Sequence, residues 1–205
     1  MTDVTLIGLR EKKKLRTRHL IETCALELFA QEGFDTTTVE SIAAACEIAP
    51  RTFFRYFASK DDLLSGDADS RLVRLIESLR SRPADESPFQ ALREAVLALT
   101  TFYEGDREAM LLRYKVFERN PRLLARGLET QHLWEEAVVA ALAERSPDRP
   151  DVELRLIAGA GMAALRAAVH HWQAHGGTID LFALVQHAFS RLAGGLDAPA
   201  AQQEQ

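Results

Sequence analysis

The sequence predicts an all-α fold, and three observations carry that reading. Apolar residues recur at i, i+3, i+4 and i+7 spacing through most of the chain. No stretch of useful length alternates apolar and polar residues as a strand would. Capping residues ahead of the periodic segments, and Gly or Pro behind them, divide the chain into nine helices. The 205 residues are 47% hydrophobic, enough to bury a core, which argues against wholesale disorder. No apolar run approaches the roughly 18 to 20 residues of a membrane span. The opening "MTDVTLIGLREKKK" lacks the charged-then-apolar order of a signal peptide, so a cytoplasmic protein is expected.

The helices follow in order. Ile21, Cys24, Ala25, Leu28 and Phe29 form one apolar stripe on the first, and Gly33 ends it. "TTTVESIAAAC" opens the second, with Thr37 and Glu40 as a capping box or Thr38 as the cap instead. Its inward face is Val39, Ile42, Ala43 and Cys46. "EIA" is a turn, and Pro50 suits the first turn of a brief third helix, where its missing N–H costs nothing. Ser59 and Asp62 mark the start of a long fourth helix reaching about Arg82. Ser87 and Pro88 start the fifth, through Tyr103. The sixth spans about Asp106 to Arg119, and Asn120 with Pro121 separates it from the seventh, which runs to Arg145. After "SPDRP" the eighth covers about Asp151 to His175. Gly176 and Gly177 end it, and Thr178 caps the ninth, to about Leu192. The tail "GGLDAPAAQQEQ" reads as disordered.

Charge is unevenly spread over the net of −5. Residues 1–60 hold 9 Lys/Arg and 8 Asp/Glu, against 16 and 22 in the remainder. "REKKKLRTRH" sets six cations against one acid. A basic amino-terminal arm on an acidic body suits contact with a polyanion at one end, and a solvated tail is the other reading. Cys24 and Cys46 lack metal-type spacing and sit at apolar positions, as reduced core thiols would.

"IAPRTFFRYFASKDDLL" crowds four aromatics and three cations into ten positions, Arg51 to Lys60. Two short helices around a tight turn form a helix-turn-helix pattern, whose second helix enters the major groove of DNA. On that helix Phe53 and Phe57 share a face and can bury against Phe29, Ile42 and Leu63. Arg51, Thr52, Arg55 and Tyr56 lie away from it. Arginine can grip guanine O6 and N7 with both arms; Tyr56 and Lys60 suit phosphate oxygens, as do the helix starts at Thr37 and Thr38.

The segment 15–64 closely resembles the amino-terminal domain of tetracycline-repressor-type (TetR-family) regulators. The resemblance rests on Leu28-Phe29, Gly33-Phe34, Thr37-Thr38-Val39, Ile42-Ala43, Thr52-Phe53-Phe54, Tyr56-Phe57, Lys60 and Leu63. The turn departs from the family, with Glu47, Ile48 and Ala49 where Gly, an apolar residue and Ser are usual. The missing Gly strains the turn if its backbone is left-handed there. Without the usual Ser cap, Pro50 must set the helix start. Phe54 replaces a common Tyr, so a thymine methyl or a sugar is its expected contact. The implied organisation is a basic flexible arm at 1–14, a DNA-binding domain at 15–64, a ligand-binding and dimerisation domain at 65–193, and a disordered tail at 194–205. The implied protein is a homodimeric regulator, most simply a repressor, on a palindromic double-stranded operator.

In the second domain, Phe102, Tyr103, Met110, Tyr114, Phe117 and Trp134, with Arg113 and Lys115, either line an apolar cavity with polar contacts at one end or form a packed core. "LLRYKVFERNPRLLARGLETQHLWEEAVVAAL" also resembles the subgroup with an acyl-CoA-like ligand domain, which implies an acyl-type effector. The eighth helix is rich in small residues, among them Ala160, Ala164 and Ala168. The ninth presents Leu181, Val185 and Phe189. The resemblance implies that these two helices pair with their copies across the dimer. His171 and His175 share a face but lack further ligands, so no metal is expected, and no cofactor. No nucleophile motif or phosphate-cradling loop points to an enzyme. The rival readings are an acyl-CoA-handling enzyme and a ligand-independent architectural DNA binder.

Overall fold

A computed structural model describes residues 8–66, 68–120 and 123–196. Every regular element among them is helical, and the helices number ten: α1 Leu9–Glu32, α2 Val39–Ala45, α3 Pro50–Phe53, α4 Asp62–Ser65, α5 Ala68–Arg80, α6 Pro88–Gly105, α7 Arg107–Arg119, α8 Leu123–Arg145, α9 Asp151–Ala174 and α10 Leu181–Gly194. The extra helix comes from Gly66. Its backbone sits at φ 55° and ψ −135°, which breaks the expected fourth helix into α4 and α5. Helix α1 begins at Leu9, inside the segment expected to be a flexible arm, so Lys13 and Lys14 ride on its first turns. Residues 1–7 and 197–205 lie outside the described residues.

The chain forms two compact units. The first comprises residues 1–67 and 108–123, the second 68–107 and 124–205. Helix α7 therefore belongs with the amino-terminal helices, although the sequence placed it in the second domain. The reason is its apolar face. Ala109, Val116 and, just beyond the helix, Leu123 join one buried cluster with Ile21, Ala25, Leu26 and Phe29 of α1, Ile42 of α2, and Phe53, Phe57 and Leu63. The packing of Phe53 and Phe57 with Phe29, Ile42 and Leu63 is as the sequence reading has it. Each such buried side chain is worth roughly 1.5–3 kcal/mol.

In the second unit α6 lies against α5, α9 and α10, and α9 pairs with α10. Leu92, Val96, Leu99, Leu165, Trp172, Val185 and Phe189 are buried there. Gly161 admits the close approach of α6. A Cβ in its place would collide with the Leu92 side chain and stand 3.4 Å from the Phe189 ring. Arg80 reaches Glu144 through two hydrogen bonds of 2.8 and 2.7 Å, joining α5 to α8. Asp180, rather than Thr178, caps α10, its carboxylate accepting from the Ala183 amide. Thr178 instead donates to the His175 carbonyl.

Candidate nucleic-acid interface

The interface is built on the α2–turn–α3 segment. Thr38 caps α2 in extended geometry. Its hydroxyl accepts from the Ser41 amide at 3.1 Å while Ser41 Oγ accepts from the Thr38 amide at 3.0 Å. The box thus joins Thr38 to Ser41, not Thr37 to Glu40. Thr37 is buried and donates to the Gly33 carbonyl at 2.8 Å, which withdraws its side chain from the surface expected to meet phosphate. Thr38 stays exposed.

Helix α2 ends in a Schellman turn. The Ile48 amide returns to Ala43 O at 2.9 Å and the Glu47 amide to Ala44 O at 3.1 Å. That motif puts Glu47 at φ 55°, so the left-handed position the sequence flagged is occupied by a residue with a Cβ. Ala49 then precedes α3 without a side-chain cap, and Pro50 takes the first position. Phe53 and Phe57 turn inward, 5.6 Å between ring centroids. This forces Arg51, Phe54 and Arg55 outward; Phe54 is 55% exposed. Thr52 and Tyr56 are half-buried at the edge.

Helix α1 supports this surface from beside it. Arg18 donates to the Tyr56 carbonyl at 2.9 Å and stacks its guanidinium 4.4 Å over the Phe57 ring. Arg55 donates to the Tyr56 hydroxyl at 3.2 Å. Desolvation would raise the Tyr56 phenol, but hydrogen bonds with Thr17 and Arg55 and the charges of Arg55 and Lys14 carry it below its usual value. Lys13, Lys14 and Arg16 are exposed on the same helix. The result is a cationic surface around one exposed aromatic ring, chemistry suited to phosphate and base edges together. Lys60 is engaged elsewhere, with its ammonium 2.7 Å from Phe34 O, 3.1 Å from Thr37 O and 3.4 Å from Asp35 O.

The side chains expected to line one pocket are divided between the units. Phe102, Tyr103 and Trp134 lie in the second. Met110, Arg113, Tyr114 and Phe117 lie in the first. Arg113 is 4% exposed and forms a buried ion pair with Glu22 of α1, which is itself 5% exposed. Tyr114 donates to Glu118 at 2.9 Å, and that carboxylate raises its phenol above the usual value. Tyr103 is buried beside Arg71, whose guanidinium stands 5.3 Å over its ring; desolvation raises the phenol. Between α5 and α6 the second unit has an open groove of about 370 Å³, lined by Arg74, Glu77, Ser78, Ser81, Ala95, Ala98, Leu99 and Phe102, with the Arg74 guanidinium 4.3 Å over the exposed Phe102 ring.

Most of the residues expected to pair across a dimer serve the core of the second unit. Ala164, Ala168, Leu181, Val185 and Phe189 are buried inside the second unit, and Ala160 is half-buried. The exposed apolar stripe of α9 is instead Val152, Leu156, Ala163 and Ala167, with Leu156 71% exposed. The signal was present in the sequence, because α9 is apolar on two faces. The His171 and His175 rings lie 4.2 Å apart with their planes tilted by 44°, and no group of three metal-binding side chains occurs among the described residues. No helix among them is long and apolar enough to cross a membrane.

Comparison with known proteins bears on both units. Residues 23–65 match the profile of bacterial regulatory proteins of the tetR family, and residues 86–197 match that of the MftR C-terminal domain. A Mycobacterium tuberculosis protein described as a mycofactocin biosynthesis transcriptional regulator, MftR, is 32% identical over 187 residues, covering 91% of this chain and 94% of that protein. The Streptomyces glaucescens HTH-type regulator TcmR is 38% identical over 144 residues, 67% of this chain. The chain spans 64% of the length of TcmR, just under two thirds. Among solved structures, Thermus thermophilus FadR, a TetR-family repressor in complex with lauroyl-CoA, has a TM-score of 0.55 at 24% identity over 92% of this chain and 99% of that one; it shares the fold.

Proposed function

Since the chain belongs to the tetR family of bacterial transcriptional regulators, we propose that it is a cytoplasmic, dimeric repressor that reads its operator through Arg51, Phe54 and Arg55. The observation that carries this assignment is the outward display of those three residues by the burial of Phe53 and Phe57. Arg51 and Arg55 supply base-edge donors. Phe54 supplies an apolar contact for a thymine methyl or a sugar, and Thr38, Pro50, Thr52 and Tyr56 border them. A two-fold dimer sets two such surfaces about 34–36 Å apart, one turn of DNA. The pairing face is the α9 stripe of Val152, Leu156, Ala163 and Ala167, since Ala164, Ala168, Leu181, Val185 and Phe189 already serve the subunit core. The protein acts by binding, as the regulators it resembles are named to do.

The effector is an apolar or amphipathic small molecule of acyl type. Support comes from the acyl-CoA held by the fold relative FadR and from the groove at α5 and α6, where apolar Leu99 and Phe102 lie beside Arg74. Selection from a random duplex pool, followed by titration against unrelated DNA, tests the regulator reading. A palindromic site preferred at least a hundredfold is expected. Equal affinity for all sequences would favour an architectural binder. Long-chain acyl-CoAs and matched fatty acids are then titrated with and without the selected duplex. An effector must lose affinity when DNA is bound by the same factor that it weakens DNA binding.

A further inference from the structure

We propose that Lys60 is a positioning residue: it locks the loop between α1 and α2, and so the pose of the helix-turn-helix, and makes no contact of its own with DNA. An ammonium has three donors. Those of Lys60 face the carbonyls of Phe34, Thr37 and Asp35 at 2.7, 3.1 and 3.4 Å. The Phe34 ring, its centroid 4.5 Å from Nζ, covers another side. The donors of the cation are thereby spent inside the protein. Its acceptors lie within residues 34–37, the span that leads directly into the capping residue Thr38.

The same loop is tied from its other end. Gly33 O accepts from the Thr37 amide at 3.3 Å and from Thr37 Oγ1 at 2.8 Å, and Thr36 Oγ1 donates to the Glu32 carbonyl at 2.6 Å. Lys60 gathers the carbonyls of Phe34, Asp35 and Thr37 in the same loop. Swinging out to a phosphate would exchange three charge-assisted bonds for one solvent-screened contact, and would leave the part-buried Phe34 and Thr37 carbonyls without that donor. Because α2 and α3 are joined by a single Schellman turn, whatever fixes the start of α2 also fixes where Arg51 and Arg55 point.

This inference rests on the DNA-binding reading, and the test separates the two. Wild type, Lys60→Met and Lys60→Arg are titrated with a 30-base-pair mixed-sequence duplex at several salt concentrations. Amide exchange of residues 38–46 is followed on each protein without DNA. A phosphate-contacting lysine would lower the salt slope by about 0.9 in Lys60→Met, and the charge of Lys60→Arg would restore it. A positioning lysine leaves the slope unchanged in both variants while affinity falls by a constant factor. Arginine does not rescue, because its planar fork cannot converge on three carbonyls. Exchange in α2 speeds up by about tenfold or more in Lys60→Met, the loss of roughly one net charge-assisted bond. A reduced slope restored by arginine, or α2 exchange identical in Lys60→Met and wild type, overturns the proposal. If Lys60→Met does not fold, Lys60→Arg decides by affinity and exchange: lowered affinity with faster α2 exchange is expected, and wild-type values of both overturn the proposal. Failure of wild type to bind DNA would sink the DNA-binding reading and leave the exchange measurement to judge the brace.

Discussion

Glu47 holds a left-handed backbone that costs a residue with a Cβ about 1–2 kcal/mol. Replacing it with glycine relieves that strain and adds back roughly 0.5–1 kcal/mol of unfolded-chain entropy. Glu47→Gly is therefore expected to stabilise the protein by about 0.5–1 kcal/mol, read as a raised urea midpoint; a lowered midpoint would mean the Glu side chain compensates. Ala49 has the extended geometry of a capping residue but no oxygen to cap with. Ala49→Ser should add about 0.5–2 kcal/mol in the same assay. On the DNA side, Arg51→Ala and Arg55→Ala should each cost about 1–3 kcal/mol against the selected operator and little against random duplex. An equal loss on both would make them phosphate contacts. The outward set was legible in the sequence because two rings four positions apart dictate which residues face away. The fates of Thr37 and Lys60 were not. Lys60 binds carbonyls 23 to 26 positions away, and no local pattern encodes a partner at that separation.

Helices that the sequence could bound it could not always assign. The sequence reads one long helix from Ser59 and Asp62 to about Arg82, across Gly66. The structure gives that glycine a purpose. A Cβ there would run into the Arg113 guanidinium, which lies against this bend, reaches the Leu63 carbonyl at 3.5 Å and pairs with Glu22. Arg113 thus ties α7 to α1 and to the end of α4, through a contact 91 positions long. Arg113→Met leaves Glu22 buried beside an apolar chain and should cost about 3–5 kcal/mol. Combining it with Glu22→Leu should recover most of that loss, since an apolar pair replaces a desolvated ionic one. Denaturant melts of the two singles and the double measure this coupling. Additive losses would mean the pair does not act as a unit. Gly66→Ala should be destabilising by about 1–3 kcal/mol through the strained backbone alone.

For the whole molecule, the all-helical class and most helix ends followed from periodicity and caps. Which apolar face of α9 stays exposed did not, because periodicity finds stripes but does not say which one a neighbour within the subunit will take. The exposed stripe gives a direct test. Leu156→Glu or Ala163→Glu should yield a folded monomer by light scattering, with operator affinity reduced at least tenfold because two half-sites are no longer bound together. A dimer that survives both would move the pairing face elsewhere. The two units are also discontinuous in sequence, since the chain leaves the first near residue 67, re-enters at 108 and leaves again near 123. A hybrid regulator made by grafting residues 1–67 onto another sensor domain would therefore carry an incomplete module. It would lack the α7 side chains Ala109 and Val116 and the Arg113 that pairs with Glu22. Whether such a graft folds depends on the helix it meets there, so the portable cassette in this protein is two stretches of chain rather than one.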